Sequence, residues 1–227
     1  MAGLPLVSAV MPAFNAEAFL EPALESLFAQ DYEPFEIVVC DDGSEDRTAE
    51  ILARYPTIQV VHQENRGRAA ACNSAIAASS GEFVATFDAD DEWPPGRLRL
   101  QAEYLLEHPS SGCVLGRQEW INPPPFLGRD PVYGDLDGIP LVSAMFRRSV
   151  LDELGGFDES FRYSEDMDIL VRLREQGVEM VILSEILVFR RYHGSNMIAN
   201  PPSTLPLLRS LRQKLERERA GANGEQA

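Results

Sequence analysis

Three short apolar runs, each stopping at polar or turn-forming residues and each followed by a helical pattern, constrain this chain most. Residues 6–11 lead into 12–15, residues 36–40 into 41–44, and residues 83–87 into 88–91. Runs of that length bounded by turn residues read as buried strands. Between the first two, Phe19, Leu20, Ala23, Leu24, Leu27 and Phe28 fall on one helical face, with Pro22 in the first turn. The pattern continues with a helix to about residue 55, a strand at 58–62, an alanine-rich helix at 68–79 stopped by Gly81, and a helix at 97–107. Such alternation predicts an α/β fold: a Rossmann-like, mostly parallel central sheet with helices on both faces. Ligands of these sheets sit outside the carboxyl ends of the strands. The three polar strand ends are therefore predicted to meet at one crevice.

Beyond residue 115 the pattern loosens. Residues 116–138 hold several glycines and the run Pro123-Pro124-Pro125, and read as an irregular loop of the long kind that carries function. Strands are then expected at 141–146, 178–183 and 186–189, and helices at 149–154 and 166–176. Residues 205–219 read as a charged helix with Leu207, Leu208, Leu211 and Leu215 on one side, fading into a polar tail. That stripe suits packing, a homodimer contact or a docked partner.

The formal net charge of −16 narrows the partners. Such a surface repels nucleic acid and lacks polybasic attraction to anionic lipid. It also repels a free nucleotide diphosphate, which would need a divalent cation or a local group of arginines to bind. Cys40, Cys72 and Cys113 are odd in number and unclustered, which indicates neither a disulfide framework nor a zinc site. No apolar run approaches the ~20 residues of a transmembrane helix, and the first five residues lack signal-peptide character, so a cytoplasmic protein is expected.

The strand end Asp88-Ala89-Asp90-Asp91 is the strongest chemical signal. In an extended segment Asp88 and Asp90 point the same way, and paired carboxylates suit a hard cation such as Mn²⁺ or Mg²⁺. The competing reading is a solvated acidic turn. An EF-hand loop starting at Asp88 would need glycine where Trp93 stands, and an aspartyl phosphatase would need Thr or Val where Glu92 stands. The first strand leads into neither a dinucleotide-binding nor a P-loop glycine pattern.

These segments together resemble the inverting glycosyltransferases of sequence family 2, which have the GT-A fold. The resemblance is carried by residues 10–15, 38–44, 65–73 and 81–91, the last with the family's D-x-D, and by Gly155-Gly156-Phe157-Asp158-Glu159 and Ser164-Glu165-Asp166-Met167-Asp168. It spans roughly residues 5 to 200. It implies one GT-A domain over 1–204, with a nucleotide-binding half at about 5–112 and an acceptor-side half at about 113–204, and a C-terminal helix and disordered tail at 205–227.

Residue by residue, the resemblance places Pro12, Phe14 and Asn15 on the donor side, Pro12 and Phe14 bordering the base. Asp42 would accept a hydrogen bond from the base, and Gly67 and Arg68 would lie near base and diphosphate. Cys72 stands where many relatives have arginine. Asp88 would touch the ribose or a metal-bound water, Asp90 would ligate the cation, and Asp166 would be the general base. Asp166 and Glu165 point roughly 100° apart on a helix, so one of them faces the acceptor. Acidic residues at a helix N-terminus also have a purely structural use. His193 resembles a late histidine that ligates the cation in some relatives, a structural role being the alternative. The chain lacks the Q-x-x-R-W motif of processive synthases, so transfer of one sugar from a nucleotide-diphosphate donor, UDP-linked by preference, to an unidentified acceptor hydroxyl is expected. Two other readings stay open: a sugar-phosphate nucleotidyltransferase, which would need a glycine-rich loop at 12–15, and a non-catalytic binding or assembly module on the same fold.

Overall fold

The computed structural model describes residues 3–123, 141–194 and 196. The alternation β1 (Val7–Ala13), α1 (Leu20–Phe28), β2 (Phe35–Asp41), α2 (Thr48–Leu52), β3 (Gln59–His62), α3 (Arg68–Ala78), β4 (Phe83–Thr86) and α4 (Arg97–Glu107) follows the expected order. β5 (Ser111–Asn122), β6 (Met145–Arg147), α5 (Arg148–Leu154), α6 (Glu165–Glu175) and β7 (Glu179–Arg191) complete it. The sheet runs β3-β2-β1-β4-β6-β5-β7. Within it β1–β2, β1–β4, β2–β3 and β5–β7 are parallel, while β6 is antiparallel to both neighbours.

Side chains alternate across a strand, so each central strand feeds two cores. Val7, Ala9, Met11 and Ala13 of β1 pack on one face with Leu20 and Leu24 of α1, Leu52 of α2 and Leu98 of α4. Val10 packs on the other with Ala71 and Ala75 of α3, Leu151 of α5 and Ile169 of α6. β2 divides likewise, Ile37 and Val39 against Val38 and Cys40. Each buried Val, Leu, Ile or Met among these contributes about 1.5–3 kcal/mol. Because α1 and α2 cover one face and α3 the other, the connections change direction between β1 and β4. The crevice of the sheet lies there.

Two polar assemblies brace this frame. At the amino ends of the strands, Glu36 Oε1 accepts hydrogen bonds from Ser8 Oγ (2.7 Å), Ser80 N (2.6 Å) and Gly81 N (3.1 Å). Burial alone would raise the Glu36 pKa, but these donors outweigh it and the pKa is lowered. In the interior, Arg97 is 1 % exposed and stacks over Trp93 at 4.0 Å. Its guanidinium donates to Gln101 Oε1, Leu187 O and Val142 O, each at 3.0 Å, and more weakly to Thr86 O at 3.3 Å. It thus joins α4, β4, β7 and the turn before β6.

Three sequence expectations are corrected. Residues 116–122 are not loop but the outer half of β5, whose pairing with β7 a periodicity search misses because the register shifts repeatedly. The two strands expected at 178–183 and 186–189 are one, Glu179–Arg191: Leu115 pairs with Ile182 and Arg117 with Ile186, so the polar Ser184 and Glu185 are absorbed as a bulge. Residues 141–146 form a 3-10 turn, Leu141–Ser143, and the start of β6, because Thr86 Oγ1 captures the Leu141 carbonyl at 2.6 Å. The remainder of the expected 116–138 loop from residue 124, and the 205–219 helix with its dimer contact, lie outside the described residues.

Candidate active site

The loops after β1 and β2 are tied to each other. Asn15, in the left-handed region at φ 49°, donates its backbone N–H to Ser44 Oγ (3.0 Å) and accepts from Glu45 N through Oδ1 (2.8 Å). Pro12 is partly buried, and Phe14 is 50 % exposed. Asp42 is buried at 3 % exposure, and its carboxylate organises the next loop. Oδ1 accepts from Gln63 Nε2 (2.6 Å) and Arg66 N (2.9 Å), and Oδ2 from Gly67 N (2.8 Å). Gly67 adopts φ 95°, ψ 166°, a conformation essentially confined to glycine, and caps the N-terminus of α3.

Arg68, the first residue of α3, reaches across the crevice. Nε and Nη2 donate to Asp88 Oδ1 at 3.0 and 2.6 Å, and Nη1 to Glu165 Oε1 at 3.1 Å. The strand end beyond β4 gathers Asp88, Asp90 and Asp91, with one oxygen of each within 4.8 Å of the others. Asp90 Oδ2 meets His193 Nε2 at 2.9 Å and accepts from Asn196 Nδ2 at 2.8 Å. Among the described residues, Asp88 Oδ2 and Asp90 Oδ1 accept no hydrogen bond, so each carboxylate keeps a free oxygen.

His193 arrives at Asp90 because β7 is zipped to the acidic segment. Glu92 and Phe189 exchange backbone hydrogen bonds at 2.9 and 2.8 Å. Asp91 Oδ1 accepts from Arg191 N at 3.0 Å, and Oδ2 pairs with Arg190 Nε at 3.4 Å. The His193 ring stacks on Phe19 at 4.2 Å, and Asn196 Oδ1 accepts from His193 N at 2.5 Å. Asp91 thus braces β7, while Asp88 and Asp90 have spare donor capacity.

Charge accumulates here. Burial, then repulsion from Asp88, raises the Asp90 pKa against the pull of His193 and Arg190. Burial pushes Asp91 up to about 8, with Arg190 opposing and Asp90 and Asp88 adding. The donor set fits a hard divalent cation: oxygen ligands gathered closely, whose crowding and desolvation a cation would relieve.

α6 presents the remaining carboxylates. Glu165 is buried against Arg68, its pKa raised by burial, and its Oε2 has no hydrogen-bond partner among the described residues. Asp168, buried, pairs with Arg172 at 2.7 Å, and Arg172 also donates to Leu154 O and Gly156 O. Asp166, on another side of the helix, is partly exposed; its Oδ1 accepts from Met167 N at 2.8 Å.

The structure therefore brings Asp88, Asp90, Arg68 and His193 into one connected group and links Asp42 to it through Gly67. Asp166 enters through its neighbour Glu165, and Phe14 makes no contact with the carboxylates that the described interactions record. Cys72 is buried in α3, its thiol pushed up to about 12 by burial. Sequence reasoning missed Asn196, Asp91 and Glu165 as parts of the site. The i, i+3 spacing of His193 and Asn196 hints at one, but Glu165 has no local signal, its partner lying 97 positions away.

No helix among the described residues is long and apolar enough to cross a membrane. The sequence profile named Glycosyl transferase family 2 matches residues 8–155, more than half of the chain. A chondroitin synthase of Pasteurella multocida is 26% identical over 205 residues, covering 85% of this chain and 21% of that protein. Among solved structures, S. aureus TarS 1–349 in complex with UDP-GlcNAc superposes with TM-score 0.73 at 22% identity, over 86% of this chain and 61% of that one. The mannosyltransferase PcManGT from Pyrobaculum calidifontis, in complex with GDP-Man and Mn²⁺, gives 0.68 at 23%, over 86% and 59%. The chain thus spans about a fifth of the synthase and about three fifths of each structural neighbour. Sheet order, strand-end carboxylates and profile agree: the chain has the GT-A fold and belongs to glycosyl transferase family 2.

Proposed function

We propose that this chain transfers a single sugar, with inversion, from a nucleotide-diphosphate donor to an acceptor hydroxyl, assisted by Mn²⁺ or Mg²⁺ and a carboxylate base. The observation that carries the reading is the pair of free oxygens on Asp88 and Asp90 at the point where the sheet connections reverse. Arg68 adds weight, because its charge is already shared between Asp88 and Glu165. An acidic protein whose nearest arginine is spoken for needs a cation to hold a diphosphate. A UDP-sugar is the preferred donor; TarS was solved with one, and the chain's fold is the same.

In this reading Pro12, Phe14 and Asn15 border the base and ribose, and Asp42 and Gly67 shape the loop that receives the base. Asp90, with His193, holds the cation, and Asp88 contributes its free oxygen. A cation held there would supply Lewis-acid stabilisation of the negative charge on the departing diphosphate. Asp166 takes the acceptor proton as the new C–O bond forms; its Oδ2 has no partner among the described residues. A carboxylate is a weak base, so it is useful late, when the attacking oxygen has become acidic. Direct displacement inverts the anomeric centre.

The alternatives have less support. A nucleotidyltransferase needs a glycine-rich loop where Pro12-Ala13-Phe14-Asn15 stands. A merely binding module leaves the spare oxygen of Asp166 without a use, its place in the first turn of α6 accounting only for the charge. Calorimetry with UDP and Mn²⁺ tests the core of the proposal. Asp90→Ala is expected to abolish the manganese-dependent part of the affinity, and unchanged affinity in that variant would remove Asp90 from the ligand set.

A further inference from the structure

Arg68 is the only described side chain that touches both the carboxylates beyond β4 and the first turn of α6. Its three contacts join elements distant in sequence, 20 positions to Asp88 and 97 to Glu165. All three groups are largely buried, with side-chain exposures of 16, 20 and 2 % for Arg68, Asp88 and Glu165. A planar guanidinium held by two carboxylates has little freedom to turn. Glu165 precedes Asp166 directly, and Asp168 anchors the same turn separately through Arg172 to the Leu154 and Gly156 carbonyls. Positions three apart share a helix face, so Glu165 and Asp168 grip one side while Asp166 is turned away from it.

We propose that Glu165 is a positioning residue: through Arg68 it ties the turn bearing Asp166 to Asp88, holding the acceptor side and the donor side of the crevice at one spacing. The role rests on the reading of Asp166 as base, and it assigns Glu165 no contact with substrate. Nucleophile and leaving group must lie in line, and the spacing of the groups that serve them decides how often they do. A misplacement of about 1 Å at such a site costs on the order of 100-fold in rate.

Glu165→Gln keeps an acceptor oxygen for Arg68 but deletes the charge that holds it. The full chain carrying this change is expected to bind UDP and Mn²⁺ with unchanged affinity while kcat falls roughly 10- to 100-fold. Amide hydrogen exchange is expected to quicken both at residues 165–168 and at residues 88–91, because the bridge restrains both ends. In an Arg68→Lys background, where one ammonium cannot span two carboxylates, Glu165→Gln should add no further loss of kcat. Should Glu165→Gln fail to fold, Glu165→Asp, which keeps the charge but withdraws it from Arg68 by one methylene, is expected to give the same split between binding and turnover. Normal kcat in the variants, additive losses, or faster exchange confined to α6 would each overturn the proposal. If the unaltered chain transfers no sugar yet exchange quickens on both sides in Glu165→Gln, the bridge stands and the transfer reading falls.

Discussion

Replacing Arg97 by lysine probes how the frame carries the site. Arg97 directly follows Gly96, the N-cap of α4, and donates to carbonyls of three elements and to Gln101. Burial lowers the guanidinium pKa, with Asp91 acting against the shift. Lysine keeps a charge but gathers its donors on one nitrogen, so it cannot serve Gln101, Leu187 and Val142 from one position. Loss of at least one hydrogen bond to a charged donor costs about 1.5–3 kcal/mol, and loss of the stack on Trp93 about 0.5–2 kcal/mol. The expected deficit is therefore about 2–5 kcal/mol, or a fall in Tm of roughly 4–20 °C for a chain of this size. Urea unfolding at pH 7 measures it directly. A deficit below about 1 kcal/mol, within the range of an ordinary surface change, would refute the reasoning.

Asp166→Asn is expected to keep UDP affinity but lose transfer by at least about 100-fold, as the loss of a general base implies; near-normal turnover removes that role. Glu36→Gln is expected to cost about 1–2 kcal/mol at pH 7, since neutral acceptors hold these donors less strongly. The lowered Glu36 pKa makes its stabilisation present above the unfolded value and lost as pH falls through the folded one. The gap between variant and parent in thermal melts should therefore narrow below pH ~4, and a constant gap would show that charge is not involved. Cys40, Cys72 and Cys113 are all buried, with burial raising the first two thiols to about 11 and about 12 and the third higher still. Ellman's reagent at pH 8 should react with them only after denaturation, because thiolates are scarce and shielded; rapid reaction of the native protein would contradict that packing.

Much of the N-terminal half of the fold was legible from the chain itself. Apolar runs bounded by turn residues, and helical repeats, located β1 to β4 and α1 to α4 within a few residues, because both are set by neighbours close in sequence. The same local logic paired Asp88 with Asp90 and set Glu165 apart from Asp166. Tertiary structure decided the rest. Whether residues 116–122 extend β5 depends on β7 arriving beside them, and the bulge at Ser184 and Glu185 is visible only in that pairing. Arg68 meets Glu165 because α3 and α6 lie on the same face of the sheet, and Asn196 meets Asp90 because Glu92 zips to Phe189. Contacts across about a hundred residues leave no period in the sequence: they are fixed by how whole elements pack, and packing depends on every other contact at once.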